Sequence, residues 1–145
     1  MIGTGGPFHR RAVIYVDTSA LLKRYVEEAD SARADGYLLT DVVWVTARAT
    51  LVEVRRNLHR LLGPEQREAA LAAFTGDWAR MNVVELDAMT CESAAAVAEL
   101  TGARSLDALH LAAAIRVGGT ESTFVTFDAR QATAARSLGL RVLGA

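Results

Sequence analysis

Residues 13–25, VIYVDTSALLKRY, decide the fold prediction, because an apolar run stops on Asp17 and a helix-like pattern starts directly after it. A short apolar run rich in β-branched residues is typical of a buried strand. An ionised carboxylate is costly to bury unless it is paired, hydrogen-bonded or bound to a metal. Two interpretations stay open. Asp17 caps the following helix, with Thr18 and Ser19 as further candidates, or it lies in the crevice where open α/β sheets bind ligands.

The rest of the chain alternates strand-like and helix-like segments. Such alternation implies crossover connections, and therefore an α/β fold with a mainly parallel sheet that helices cover on both faces. The predicted strands are AVIYV, VVWVT, NVVEL, TFVTF and RVLG, and the predicted later helices cover residues 47–62, 65–80, 89–100, 106–117 and 129–138.

Length and composition fit one domain. The 145 residues are 51% hydrophobic, so residues 12–145 can bury an ordinary core. Residues 1–11, MIGTGGPFHRR, have no periodicity and are predicted to form a flexible leader. The single cysteine, Cys91, excludes an internal disulfide, fits a reducing cytosol and is predicted to fill a helix face. No apolar run is long enough to span a bilayer, and we expect a cytoplasmic protein without membrane contact.

Three further acids occur in contexts that resemble or complement that of Asp17. Asp128 also follows an apolar strand. Asp107 falls in the first turn of a helix for which Ser105 is the predicted cap. Glu53 lies on a helix, where its neighbours on the same face, one turn before and after it, are Ala49 and Asn57. Each acid also has a purely structural explanation: Asp128 as a helix cap, Asp107 as an acid favoured by the helix dipole, and Glu53 as an exposed surface residue. Together, acids in one pocket repel each other unless a cation neutralises them.

The ligand chemistry of such a pocket favours Mg²⁺ or Mn²⁺ over zinc, because the donors are hard oxygens without cysteine or clustered histidine. One or two such ions can activate water for phosphodiester cleavage. The net charge of −1 argues against binding nucleic acid by bulk electrostatics. Any contact must be local, and the candidates are Arg55, Arg56 and Arg60, for which a solvated helix face is an equal alternative; we expect His59 at the surface.

Four motifs in this order, VDTSALLK, TLVEVRR, RSLDALHLAAA and FVTFDAR, resemble the PIN-domain nucleases, in particular the VapC-type toxins of bacterial toxin–antitoxin pairs. The resemblance covers nearly the whole chain after residue 11. It implies a three-layer α/β/α sandwich and a Mg²⁺-dependent endoribonuclease, with Mn²⁺ as a substitute, that cuts structured RNA of the transfer or ribosomal class by water attack. The implied acidic tetrad is Asp17, Glu53, Asp107 and Asp128, with accessory hydroxyls at Ser19 and Thr126.

The resemblance also implies partners and an order of importance among the acids. Asp17 and Asp107 would be the firmest metal ligands, while Glu53 and Asp128 would complete the shell directly or through water, and Asp128 occupies the most variable position. A VapB-type antitoxin would fill the groove and present an arginine to the acids, and homodimers are usual in the family. The leader departs from typical members, which begin almost at the first strand.

Other functions fit the sequence less well. A haloacid-dehalogenase-type phosphotransferase needs an acid where Ser19 lies, a phospho-receiver needs a lysine in the final third, which has none, and a dinucleotide binder needs glycines after the first strand. The remaining alternative is a catalytically silent PIN-like module that binds RNA or a partner. All four acidic positions are filled, which favours the enzyme.

Overall fold

The computed structural model describes residues 12–38, 42–118 and 122–145, and the predicted leader lies outside them. The described residues form five strands and seven helices. In chain order these are β1 (Ala12–Val16), α1 (Thr18–Leu22), α2 (Ser31–Leu38), β2 (Val42–Ala47), α3 (Ala49–Leu61), α4 (Pro64–Trp78), β3 (Asn82–Val84), α5 (Ala88–Thr101), α6 (Ser105–Val117), β4 (Thr123–Thr126), α7 (Ala129–Ser137) and β5 (Arg141–Gly144).

The strands pair in the order β3-β2-β1-β4-β5, and each of these four pairings is parallel. Strand β1 is therefore central, and the chain builds outward from it in both directions. The direction changes between β1 and β4, so a crevice opens there beyond the carboxyl ends of the two strands. Asp17 follows β1 and Asp128 follows β4, so the pairing of these two strands brings both acids to the same edge of the sheet.

Two apolar layers cover the sheet, which confirms the three-layer α/β/α sandwich. On one face, Ile14 and Val16 pack with buried residues of α1 to α4, including Leu58 and Phe74. On the other face, Tyr15 and the other strand residues that point to this face pack against the alanine-rich surfaces of α5, α6 and α7. Because successive strand residues point to opposite faces, the alternation in β1 supplies both layers.

The predicted element boundaries agree with the structure to within a few residues, with three differences. Helix α2 was not predicted, because its sequence, SARADGYL, has a weak apolar pattern and contains Gly36. In the structure, three of its residues are buried. The Leu51–Val54–Leu58–Leu61 stripe predicted for α3 buries Val54 and Leu58, while Leu61 at its end is 47% exposed. Ser105 does not cap α6, because Arg104 occupies the N-cap position and makes no side-chain cap bond.

Turn residues end the helices where the sequence predicts. Pro64 occupies the first turn of α4, three residues after α3 ends at Leu61, and the missing proline N–H costs nothing there. Gly102 ends α5 at a φ of 76°, in the left-handed region that glycine tolerates best. Among the described residues, no helix is long and apolar enough to cross a membrane.

Candidate active site

Asp17 is buried at the carboxyl end of β1, with 5% of its surface exposed. It occupies the N-cap position of α1 but its side chain makes no cap bond. Instead its Oδ2 accepts hydrogen bonds from Ser19 Oγ at 3.0 Å and Thr126 Oγ1 at 2.7 Å. The interpretation of Asp17 as a side-chain cap is therefore wrong, and both predicted accessory hydroxyls contact this carboxylate.

The backbone after β4 orients those two hydroxyls. The Phe127 N–H donates to Ser19 Oγ at 2.9 Å, and the Asp128 N–H donates to Thr126 Oγ1 at 3.1 Å. With backbone donors on their oxygens, the hydroxyls can direct their own hydrogens toward Asp17. Both of these hydrogen-bond donors are neutral, and the cationic group near this buried carboxylate is the His110 imidazole, whose Nε2 lies 3.7 Å from Oδ1, beyond hydrogen-bond distance.

Glu53 meets the same pocket from α3. Its Oε1 accepts a hydrogen bond from Thr18 Oγ1 at 2.9 Å and lies 2.7 Å from His110 Nε2. His110 Nε2 is also 3.7 Å from Asp17 Oδ1, so the imidazole lies between the two carboxylates. The interpretation of Glu53 as an ordinary exposed helical acid is wrong, because its side chain is only 24% exposed.

The environment of Glu53 and His110 shifts both of their pKa values. Burial alone would raise the pKa of Glu53, but the hydrogen bonds from His110 and Thr18 outweigh it and leave the value below normal. Burial alone would lower the pKa of His110, but the charges of Asp17 and Glu53 outweigh it and leave the value above normal. The pair therefore favours its charged form.

Asp107 lies in the first turn of α6, and Asp128 occupies the N-cap position of α7. Burial raises the pKa of Asp107, and the negative charges of Asp17, Asp128 and Glu53 raise it further. Asp107 therefore lies within the field of the other three acids, as the acidic-pocket prediction requires. Asp128 does cap a helix, since its Oδ1 accepts from the N–H groups of Arg130 at 2.9 Å and Gln131 at 3.1 Å.

Gln131 connects these two acids. Its buried Nε2 donates to the Asp107 carbonyl at 3.0 Å, and its own N–H donates to the Asp128 side chain. The Gln131 Oε1 is buried and has no hydrogen-bond partner in the described part of the chain. The residue thus fixes the start of α7 relative to the first turn of α6.

Sequence reasoning missed His110, Tyr15 and Gln131. His110 follows Asp107 by three residues on α6, a spacing that places both side chains on one helix face. Tyr15 precedes Asp17 by two residues on β1, which puts both on one side of the strand. These spacings were visible, but an apolar, alanine-rich helix and a buried strand gave no reason to single them out.

The remaining predicted residues take no part in the hydrogen bonds described above for the pocket acids. Arg55, Arg56 and Arg60 are exposed on α3, and Arg60 Nη2 donates to Asn57 Oδ1 at 2.9 Å. His59 is exposed, as predicted. Cys91 lies on an exposed face of α5.

The pocket's donor chemistry fits a hard divalent cation, although the ligands are not preassembled. Within residues 12–38, 42–118 and 122–145, no group of three or more His, Cys, Asp or Glu side chains is arranged to hold a metal ion. The acids nevertheless share one field, as the raised pKa of Asp107 shows. Oxygen donors whose negative charges repel each other are the chemistry that Mg²⁺ and Mn²⁺ match.

Comparison with known proteins gives consistent matches. The sequence model of the PIN-domain family matches residues 14–137. Ribonuclease VapC35 of Mycobacterium tuberculosis is 36% identical over 135 residues, which cover 90% of this chain and 96% of that protein.

Two solved structures share the fold. The crystal structure of VapC20 of M. tuberculosis, a sarcin–ricin loop cleaving toxin, has a TM-score of 0.64 at 21% identity and covers 83% of this chain and 94% of its own. That of VapBC2 of Rickettsia felis, bound to a fragment of promoter DNA, has a TM-score of 0.65 at 15% identity and covers 92% and 98%.

Proposed function

This chain belongs to the PIN-domain family and, within it, to the VapC-type toxins, and on that basis we propose that it is an endoribonuclease that cleaves structured cellular RNA with the help of Mg²⁺. Mn²⁺ should substitute for Mg²⁺. The single observation that supports this most is geometric: Asp17 is buried at the carboxyl end of β1, beside the strand that leads to Asp128, and Glu53 reaches the same pocket from α3 through His110. Acids gathered in one pocket repel each other. A cation would relieve that repulsion.

We assign Asp17 and Asp107 as the first cation ligands, with Glu53 and Asp128 completing the shell directly or through water. A bound divalent cation would make water a better nucleophile and stabilise the leaving oxygen. Ser19 and Thr126 hold the Asp17 carboxylate in one orientation. Asp128 and Gln131 fix the start of α7 against α6, where Asp107 lies.

The proposed substrate is RNA of the transfer or ribosomal class, by analogy with relatives that are named ribonucleases and with VapC20, described as cleaving the sarcin–ricin loop. Arg56 is proposed to reach the RNA backbone, because it lies three residues after Glu53 and thus near it on α3. Arg55 and Arg60 would add further phosphate contacts.

We further propose that a VapB-type antitoxin inhibits the enzyme by inserting an arginine into the acidic pocket, and that the protein forms a homodimer in the cytoplasm. The guanidinium fork matches a carboxylate through two parallel hydrogen bonds. The promoter-bound VapBC2 complex supports a toxin–antitoxin context by analogy.

RNA-end sequencing tests the reaction. The protein is induced in cells, with Asp17→Asn as control, and the cleaved RNA ends are mapped; the purified protein then cuts that RNA with Mg²⁺, Mn²⁺ or chelator. Water attack leaves a 5′-phosphate and a 3′-hydroxyl. Ends with 2′,3′-cyclic phosphate, or full activity in chelator, would refute the mechanism. No cleavage at all, with wild-type folding intact, would favour the catalytically silent module.

A further inference from the structure

His110 is the buried centre of a hydrogen-bonded chain that runs from the sheet to the acidic pocket. The side chain is 1% exposed, and both ring nitrogens have partners. Tyr15 Oη lies 2.7 Å from Nδ1, while Glu53 Oε1 lies 2.7 Å from Nε2. The proposed chemistry gives this residue no role of its own.

The partners determine which nitrogen carries a proton. An ionised carboxylate only accepts, so the contact with Glu53 requires an N–H at Nε2. In the neutral ring, Nδ1 then accepts from the Tyr15 hydroxyl, while in the charged ring it donates to it. Either way Nε2 donates to Glu53, and Thr18 donates to the same oxygen at 2.9 Å.

We infer that His110 is a positioning residue. Its Nε2–H holds Glu53 Oε1 in a hydrogen bond within the protein, so that only Glu53 Oε2 is available to a cation or its water. This inference rests on the proposed function. The carboxylate is on α3 and the imidazole is on α6, and their contact fixes a long, rotatable side chain that is otherwise partly open to solvent.

One helix thereby places two parts of the pocket. Helix α6 supplies Asp107 in its first turn and His110 one turn later, so the position of α6 sets both an acid and the group that orients another acid. The imidazole also separates the Glu53 and Asp17 carboxylates, which would otherwise repel each other. Residues that orient metal ligands typically affect metal affinity or activity by 10- to 100-fold.

The test measures Mn²⁺ affinity by calorimetry on the full chain without RNA. We expect His110→Leu to weaken binding by about 10- to 100-fold. His110→Gln, which retains an N–H donor of similar reach, should recover most of that loss. His59→Leu, the same change at an exposed histidine of α3, should bind Mn²⁺ as the wild type does.

A double-mutant cycle separates positioning from a general structural effect. If His110 acts through Glu53, then His110→Leu should change the Mn²⁺ affinity of Glu53→Gln by less than about threefold, because coupled residues are not additive. Fully additive losses, or a His110→Leu affinity equal to that of the wild type, would overturn the inference.

Tyr15→Phe keeps the inference testable where His110→Leu fails to fold. Phenylalanine retains the stacking of this ring on Phe124, with centroids 5.2 Å apart, and removes only the hydroxyl at Nδ1. We expect a smaller loss of Mn²⁺ affinity, about three- to tenfold. In metal-free wild type, NMR should find a slowly exchanging proton on His110 Nε2, and a ring without that proton would contradict the assignment.

The outcomes distinguish this inference from the proposed function. A wild type that neither binds Mn²⁺ nor cleaves RNA would overturn both. A wild type that does both, with an unaltered affinity in Tyr15→Phe and His110→Leu, would overturn the inference alone.

Discussion

Two carboxylates are equally buried but differ in what surrounds them. Asp17 is 5% exposed and Asp77, near the end of α4, is 4% exposed. Arg24 donates to both oxygens of Asp77 at 3.0 and 3.1 Å, and Tyr25 Oη and Arg80 add bonds of 2.6 and 3.0 Å. Within the described residues, the Asp17 side chain accepts hydrogen bonds from the hydroxyls of Ser19 and Thr126, and His110 Nε2 lies 3.7 Å away.

The difference distinguishes Asp77, whose charge is paired within the fold, from Asp17, the proposed cation ligand. Asp77 has its counter-charge in the fold, because two guanidinium groups contact it directly: Arg24 joins α4 to the segment after α1, and Arg80 makes a local pair. Asp17 lies among other acids instead. A buried charge without a directly bonded counter-charge is the arrangement that a diffusible cation can complete.

The largest expected effect is that of Asp107→Asn on turnover. The substitution keeps the size of the side chain and removes its charge, so we expect RNA cleavage to fall by about 10²–10³-fold, the usual consequence of losing one preorganised electrostatic group. The free energy of unfolding in chelator should stay equal or rise, because repulsion from the other acids disappears. Retained turnover, or a protein that no longer folds, would place Asp107 with the structural acids.

Asp77→Ala should have the opposite profile. It leaves Arg24 without its bidentate partner, and we expect a loss of about 3 kcal/mol in the free energy of unfolding, at the lower end for a broken buried pair because Arg24 is 21% exposed. Urea unfolding measures the loss. Cleavage per folded molecule should match the wild type, and a selective loss of turnover would blur the distinction.

Thr126→Val tests how much Asp17 depends on its neutral donors. The substitution is close in shape and removes a hydroxyl that bonds to the charged carboxylate at 2.7 Å, so we expect a loss of about 2 kcal/mol in metal-free unfolding. Thr133→Val is the matched control, because that residue is exposed on α7 and its hydroxyl donates to the neutral Ala129 carbonyl. Equal effects at the two positions would remove the special status of Thr126.

The smallest expected effect concerns Asp87, an exposed acid outside the proposed metal site. Its side chain accepts from the Thr90 N–H and pairs with Arg116, which lowers its pKa from 3.8 to about 2. Because the folded pKa is depressed, the stabilisation is present above about pH 4 and is lost as the pH falls through 2. The melting temperature of Asp87→Asn should therefore depend less on pH across this range than that of the wild type. Parallel curves would contradict it.

Much of the fold was predictable, because each core strand is a short β-branched run and Gly or Pro ends α3, α5 and α7 near the expected residue. Helix α2 was not, since its weak apolar pattern gives too little signal. Ser105 failed as a cap for α6 because the extended residue before the helix is Arg104.

The sequence pattern singles out the four candidate acids, but it does not reveal the side chains that contact them. Asp17 and Asp128 follow strands that proved to be neighbours, which the parallel-sheet prediction allowed. The contact of His110 with Glu53 spans 57 residues, and that of Gln131 with Asp107 spans 24. Such contacts depend on how α3, α6 and α7 pack around the sheet, and no local spacing encodes that packing.

The most direct test of the central claim is thermal unfolding during a Mn²⁺ titration of the wild type, Asp107→Asn and Asp77→Asn. At a hundredfold excess over the dissociation constant, binding adds about 2.7 kcal/mol. For a chain of this length that corresponds to roughly 5–10 °C in Tm. The wild type and Asp77→Asn should gain this shift in full, and Asp107→Asn should gain less than about half of it. A wild-type Tm that does not change with Mn²⁺, or equal shifts in all three proteins, would contradict the claim that a cation completes the acidic pocket.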